Sequence, residues 1–138
     1  MDKKFKVLKI DHVAVAVNSL KESKNIFTLL GMNIGHTENV STENVDVLKI
    51  YPESDDHTIE LLEPTSKNSS VQEFLNKRDQ GLHHIALETP NIEGEVSRME
   101  GCGIQFLGKI RDGSAGTKVT FIHPKSMKGV LTELCSNG

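Results

Sequence analysis

Two histidines and two glutamates of this chain could together hold a metal ion. His12 and His84 occupy matching places in two similar segments, and Glu60 and Glu133 occupy matching places near the ends of those segments. Imidazole nitrogens and carboxylate oxygens suit divalent ions such as Co, Mn, Ni, Zn, Fe or Mg. Charged residues are rarely buried in strands unless they are paired or bound to a metal. We therefore predict that these four side chains bind a single divalent ion, with room for water.

The pairing of these residues depends on an internal repeat. The segment Ile10–Val15 matches Leu82–Leu87, 72 residues later, and Thr58–Leu62 matches Leu131–Cys135, 73 residues later. The copies therefore differ by one inserted residue. His83 should point away from His84, because successive side chains of a strand alternate between its faces, so we predict no ligand role for it.

The repeat predicts the architecture. Each copy has the pattern of a strand, a helix and three strands, so we predict one α+β domain over residues 1–138 that is built from two βαβββ modules. The modules cover about 9–63 and 81–136, and the linker 64–80 includes a short helix. If the first and last strands of each module are neighbours in a curved, open-barrel mixed sheet, the four ligands line a cleft between the modules.

Capping residues predict where the helices begin and end. Ser19-x-x-Glu22 has the spacing of a capping box, and Gly31 is placed to end that helix. Asn91 can cap the equivalent helix of the second copy, and Ser70 can start the linker helix. Later strands are predicted at the following places, with a turn at 52–56 between the first two: 45–51, 58–62, 104–107, 118–122 and 130–134.

Two loops of the second copy carry polar residues. The loop Gly108–Lys118 contains Arg111 and is basic enough to meet an anionic substrate, although a solvated loop is an equally good interpretation. The segment His123–Gly129 is predicted to be a tight turn, with substrate contact as the alternative interpretation.

Composition limits the class of protein. The formal charge of -3 is spread along 138 residues without a block of one sign, which argues against binding to nucleic acid or to a membrane surface. No segment approaches the roughly 20 apolar residues of a spanning helix, and residues 1–6 do not resemble a signal peptide. We therefore predict a cytoplasmic protein. Cys102 and Cys135 are too few to form a disulfide framework, and we expect both to be buried.

In its repeat and in the residues named above, the chain resembles the vicinal oxygen chelate superfamily, also called the glyoxalase/bleomycin-resistance fold. Within that superfamily it is most similar to the methylmalonyl-CoA epimerase family. The likeness runs from Ile10 to Cys135. Its most specific segments are Ile10–Val13, Ile59–Pro64, Gly81–Ala86, Phe121–Ser126 and Gly129–Leu134. The last two segments discriminate better than the metal ligands, which the whole superfamily shares.

The resemblance implies epimerisation of (R)/(S)-methylmalonyl-CoA by α-proton abstraction through an enolate. It implies an acyl-CoA substrate, a homodimer, and a divalent metal, for which we favour cobalt, at His12, Glu60, His84 and Glu133. A Lewis acid lowers the barrier to removing the weakly acidic α-proton of a thioester. Inversion also needs proton transfer at both faces of the α-carbon, and the resemblance makes Glu133 one of the bases.

The second base of the family has no equivalent here. Our alignment places Val47 where some members have a carboxylate, and we predict no role for the adjacent Asp46 and Lys49. A water-mediated base or a different substrate would explain the difference.

Two other functions compete with the epimerase. A glyoxalase I-type lactoylglutathione lyase would use the same four ligands for proton transfer through an enediolate, but the segment His123–Ser126 favours the epimerase. A non-catalytic ligand-binding protein of the same fold is the third interpretation. The intact set of four ligands counts against it, because such binders often lack the metal site.

Overall fold

The computed structural model describes residues 6–54 and 56–137. Residues 1–5 of the predicted opening segment and Asp55 of the predicted turn lie outside this range. In chain order, the elements are β1 (Lys9–Ala16), α1 (Leu20–Leu29), β2 (Asn33–Val40), β3 (Val45–Tyr51), β4 (Thr58–Pro64), α2 (Ser70–Arg78), β5 (Gly81–Glu88), α3 (Ile92–Gly101), β6 (Phe106–Asp112), β7 (Lys118–Ile122) and β8 (Thr132–Ser136). Across the described ranges, no helix is long and apolar enough to cross a membrane.

The chain divides into two compact units, and each contains most of one predicted module. The first unit is His12–His83, and the second is formed by the residues from His84 onward with those up to Asp11. The strands follow the order β2-β3-β4-β1 in the first unit and β5-β8-β7-β6 in the second. In both, the first and last strands of the module are parallel neighbours and the remaining pairs are antiparallel. The prediction of two βαβββ modules is therefore confirmed.

The two units also share the register of their strands. Ala14 pairs with Glu60 between β1 and β4, and Ala86 pairs with Glu133 between β5 and β8. The two glutamates therefore have equivalent partners on the neighbouring strand, as their matching places in the repeat suggest.

The sheet of the first unit is covered by a different helix on each face. The helix α1 covers one face through a cluster that includes Val17, Leu20, Leu48, Ile50 and Leu61. The helix α2 covers part of the other face through Val71 and Leu75, which pack with Ala14, Ala16, Val40, Val45, Val47 and Leu62. Because alternate residues of a strand share a face, His12 and Glu60 lie on the α2 face. We call this face of the first unit the ligand face.

The predicted helix caps are confirmed for α1 and α3. The Ser19 side chain accepts a hydrogen bond from the Glu22 N–H, and the Asn91 side chain accepts one from the Gly94 N–H. The helix α2 begins at Ser70, as predicted, and its cap is the side chain of Ser69, which accepts a hydrogen bond from the Val71 N–H.

The strands β6 and β8 lie at 106–112 and 132–136, whereas the sequence predicts 104–107 and 130–134, and the exposure of Cys102 also differs from its prediction. The strand β6 extends to Asp112, so the predicted loop begins later, because Arg111 pairs with Val119 across the sheet. The polar segment β2 is a strand because it pairs antiparallel to β3, although its own residues show little apolar alternation. Cys102 is exposed at the C-cap of α3, whereas Cys135 is buried as expected.

The core of the first unit provides a stability prediction. Leu61 is fully buried against α1, whereas Leu29 is 83% exposed on that helix. Leu61→Ala should lower the free energy of unfolding by about 2–5 kcal/mol, because it removes buried methyl groups and leaves a cavity. Leu29→Ala is the matched control and should change it by less than about 0.5 kcal/mol. Urea unfolding of both variants measures the difference, and equal losses would contradict this assignment of the core.

Candidate metal and substrate site

The first unit holds one predicted ligand pair. His12 lies on β1 and Glu60 on the neighbouring parallel strand β4, two residues out of register on the same face. The His12 Nδ1 atom lies 3.3 Å from the Glu60 Oε2 atom, and the two side chains are 5% and 7% exposed. The structure therefore brings this imidazole and this carboxylate together in a buried place.

The second unit holds the equivalent pair. His84 lies on β5 and Glu133 on the parallel strand β8, and the His84 Nε2 atom lies 3.4 Å from the Glu133 Oε1 atom. These side chains are 5% and 10% exposed. Each unit thus holds one buried imidazole beside one buried carboxylate, at matching places of the repeat.

The chemistry of both pairs fits a divalent cation. A buried carboxylate is costly unless a positive charge or hydrogen-bond donors lie beside it. A neutral imidazole and a carboxylate are ligands that cobalt, manganese, nickel and zinc accept in proteins. His12 and Glu60 in one unit, and His84 and Glu133 in the other, are the residues that could hold such an ion.

An aromatic ring supports the ligand pair of the second unit. Phe121 on β7 pairs directly with Glu133, and its ring packs edge-on against His84 with the centroids 5.3 Å apart. The guanidinium carbon of Arg111 lies 5.3 Å from the centre of the Phe121 ring. The Arg111 Nη1 atom also donates to the carbonyl of Lys109 at 2.9 Å. Arg111 therefore belongs to a strand and stacks on this ring, rather than projecting from a flexible loop.

A lysine occupies the equivalent place in the first unit. Lys49 on β3 pairs directly with Glu60, as Phe121 pairs with Glu133. No role for Lys49 is predicted from the sequence. The alternation of side chains along β3 could have shown that it shares the ligand face, because Lys49 is two residues from Val47.

Comparison with known proteins identifies the family. A model described as the Glyoxalase/Bleomycin resistance protein/Dioxygenase superfamily matches residues 11–121. The chain belongs to this superfamily. The mitochondrial methylmalonyl-CoA epimerase of Dictyostelium discoideum is 33% identical to it over 134 residues, which cover 95% of this chain and 80% of the relative.

Solved structures of the superfamily match the fold. The methylmalonyl-CoA epimerase of Mycobacterium tuberculosis superposes with a TM-score of 0.92 at 27% identity, covering 100% of this chain and 93% of the other. A variant of the Streptomyces coelicolor enzyme in complex with 2-nitronate-propionyl-CoA gives a TM-score of 0.86 at 34% identity, covering 96% and 99%. These matches confirm the predicted fold class and the resemblance to epimerases, and they place the chain among enzymes of the isomerase class.

The structure also gives the contacts of Val47, His83 and His123, for which the sequence makes individual predictions. Val47, where the resemblance implies a carboxylate in some family members, is 4% exposed and packs in the core beneath α2. His83 contacts the Phe74 ring edge-on, with the centroids 5.0 Å apart. The predicted turn after β7 contains a 3-10 helix, Pro124–Met127, and the His123 Nδ1 atom accepts a hydrogen bond from the Lys125 N–H.

Proposed function

We propose that this protein interconverts (R)- and (S)-methylmalonyl-CoA by removing the α-proton of the thioester and returning it to the opposite face. The observation that carries the proposal is the pair of buried His–Glu contacts, which occur in the same register in both units. Relatives with this fold are named methylmalonyl-CoA epimerases, and one of them is bound to an acyl-CoA analogue. These names support the substrate that the resemblance implies.

The proposal includes one divalent ion held jointly by His12, Glu60, His84 and Glu133, with cobalt as the favoured metal. When bound, such an ion would polarise the thioester carbonyl and so make the α-proton more acidic. The four buried side chains would exclude bulk water from the donor atoms and fix their orientation. Because the donors come in two equivalent pairs, one from each unit, removal of either pair should be enough to lose the ion.

Glu133 is the residue to which we assign proton transfer. Its carboxylate lies against the His84 imidazole and is nearly excluded from solvent. A fixed position removes the cost of orienting the carboxylate toward the α-proton. Val47 has no titratable group, so proton transfer at the other face of the α-carbon falls to water or to another residue.

We also propose that the enzyme is a homodimer in the cytoplasm, as the resemblance predicts. Light scattering of the purified protein would measure its mass, and a monomer would contradict the first part of this proposal. Fractionation of the cells that make it would test the second part.

Deuterium exchange tests the proposed reaction. In D2O, the cobalt-loaded enzyme should incorporate deuterium at the α-carbon of methylmalonyl-CoA, because removal of the proton exposes it to exchange with solvent. Metal-stripped enzyme should lose most of this activity. The hemithioacetal of glutathione and methylglyoxal is the comparison substrate. Turnover of that compound without exchange in the thioester would contradict the proposal and favour a glyoxalase I-type enzyme.

A further inference from the structure

Lys49 occupies a distinctive position on the ligand face. Opposite residues of an antiparallel strand pair point to the same side of the sheet, with Cβ atoms about 4.5–5.5 Å apart. Lys49 is opposite Glu60 in this way, and its side chain is half-buried. Lys49 is therefore the residue of β3 that lies next to Glu60 on the ligand face.

Within the described part of the chain, the ammonium group of Lys49 has no ion-pair partner. The Glu60 Oε2 atom faces the His12 Nδ1 atom. An anion placed beside the Lys49 ammonium group would gain a charge-assisted hydrogen bond. The first unit thus presents a cationic side chain on the same face as the candidate ligands His12 and Glu60.

The neighbouring strand leaves space for this side chain. β2 passes Lys49 at Gly35, where an added Cβ would lie 2.9 Å from the Lys49 carbonyl oxygen and 3.0 Å from the Tyr51 ring. It would also lie 3.6 Å from the Lys49 Cβ atom. A larger residue at this position would therefore crowd the start of the lysine side chain, which glycine leaves unobstructed.

The internal repeat is broken at this position. The residue equivalent to Lys49 in the second unit is Phe121, an apolar ring that packs on His84. A charged residue against one ligand pair and an aromatic ring against the other suits a substrate with two different ends. A methylmalonyl thioester is of this kind, because its α-carbon carries a neutral thioester on one side and a free carboxylate on the other.

We propose that Lys49 binds the free carboxylate of the substrate and thereby selects dicarboxylic half-thioesters over monocarboxylic acyl-CoA thioesters. This inference rests on the proposed epimerase function and adds a specificity-determining residue to it. The same ammonium group could instead meet a phosphate of the CoA moiety. A thioester with CoA but without the carboxylate distinguishes the two anions.

Calorimetric binding to the metal-loaded protein tests the proposal. The ligands are methylmalonyl-CoA and 2-methylbutyryl-CoA, in which an ethyl group replaces the carboxylate. Lys49→Met should raise the Kd for methylmalonyl-CoA by about 10- to 100-fold, the range for loss of a charge-assisted hydrogen bond. It should leave the Kd for 2-methylbutyryl-CoA nearly unchanged. Lys49→Arg should restore most of the affinity, since it keeps the charge, and Lys24→Met, on the exposed side of α1, should resemble the wild type.

The metal content of Lys49→Met and the α-proton exchange catalysed by the wild type distinguish the possible explanations of a change in affinity. Stoichiometric metal in Lys49→Met, together with selective loss of methylmalonyl-CoA affinity, supports carboxylate binding. Equal weakening of both thioesters assigns Lys49 to the CoA phosphates and overturns the inference, as does unchanged affinity for both. If the wild type catalyses no α-proton exchange in methylmalonyl-CoA, the proposed function itself fails, whatever Lys49 binds.

Discussion

Replacing His84 with alanine is expected to abolish stoichiometric metal binding and thioester exchange while the chain stays folded. Changes in residues that only support a metal ligand cost about 10- to 100-fold in metal affinity, so the loss of a ligand should cost at least as much. The cavity left by the imidazole lies beside Glu133, whose carboxylate then lacks this partner. Inductively coupled plasma mass spectrometry of the dialysed protein measures the metal, and circular dichroism checks the fold.

Two further variants make this result specific. His83→Ala removes the neighbouring imidazole, which contacts Phe74 rather than a carboxylate, and should keep the metal. His12→Ala changes the other unit and should also lose the ion if the two pairs share it. One ion retained per chain in folded His12→Ala would show that the His84–Glu133 pair binds metal by itself. Stoichiometric metal in His84→Ala would contradict the assignment of His84 as a ligand.

The repeat made much of this arrangement predictable from the sequence. A match between two segments constrains the topology, because each copy must make the same strand pairings. It also aligns individual residues, so Glu60 and Glu133 were expected beside equivalent first strands. The structure places both opposite an alanine, Ala14 and Ala86, and within 3.5 Å of a histidine. A lone histidine would not have supported that prediction.

The remaining features depend on tertiary partners that the local pattern does not encode. β2 has polar residues at most positions and is a strand because β3 supplies its hydrogen bonds. Cys102 follows α3 at its C-cap, and whether that end is covered depends on the surrounding elements. The position of Lys49 opposite Glu60 follows from the register of β3 against β4, which could not be predicted from the sequence. Alternation gives the face of a residue, but register decides which neighbours it meets there.

Glu133→Gln is expected to reduce epimerisation by about 10²- to 10⁴-fold, the usual contribution of a positioned general base. Glutamine keeps the size of the side chain and an oxygen that can still contact a metal, but its amide cannot accept the α-proton. Metal content should therefore fall much less than turnover does. The rate of interconversion of the two epimers, followed by coupling to an enzyme specific for one of them, measures the effect.

Glu60→Gln is the matched control, because it makes the same chemical change at the equivalent place in the other unit. Glu60 is proposed as a ligand and not as a base, so its variant should keep most of the turnover. Equal losses in the two variants would indicate that both act through the metal and would remove the proton-transfer role from Glu133. Exchange of the separate epimers gives a second readout. If Glu133 serves only one face of the α-carbon, Glu133→Gln should still exchange the proton of one epimer without inverting it, because the group at the other face remains.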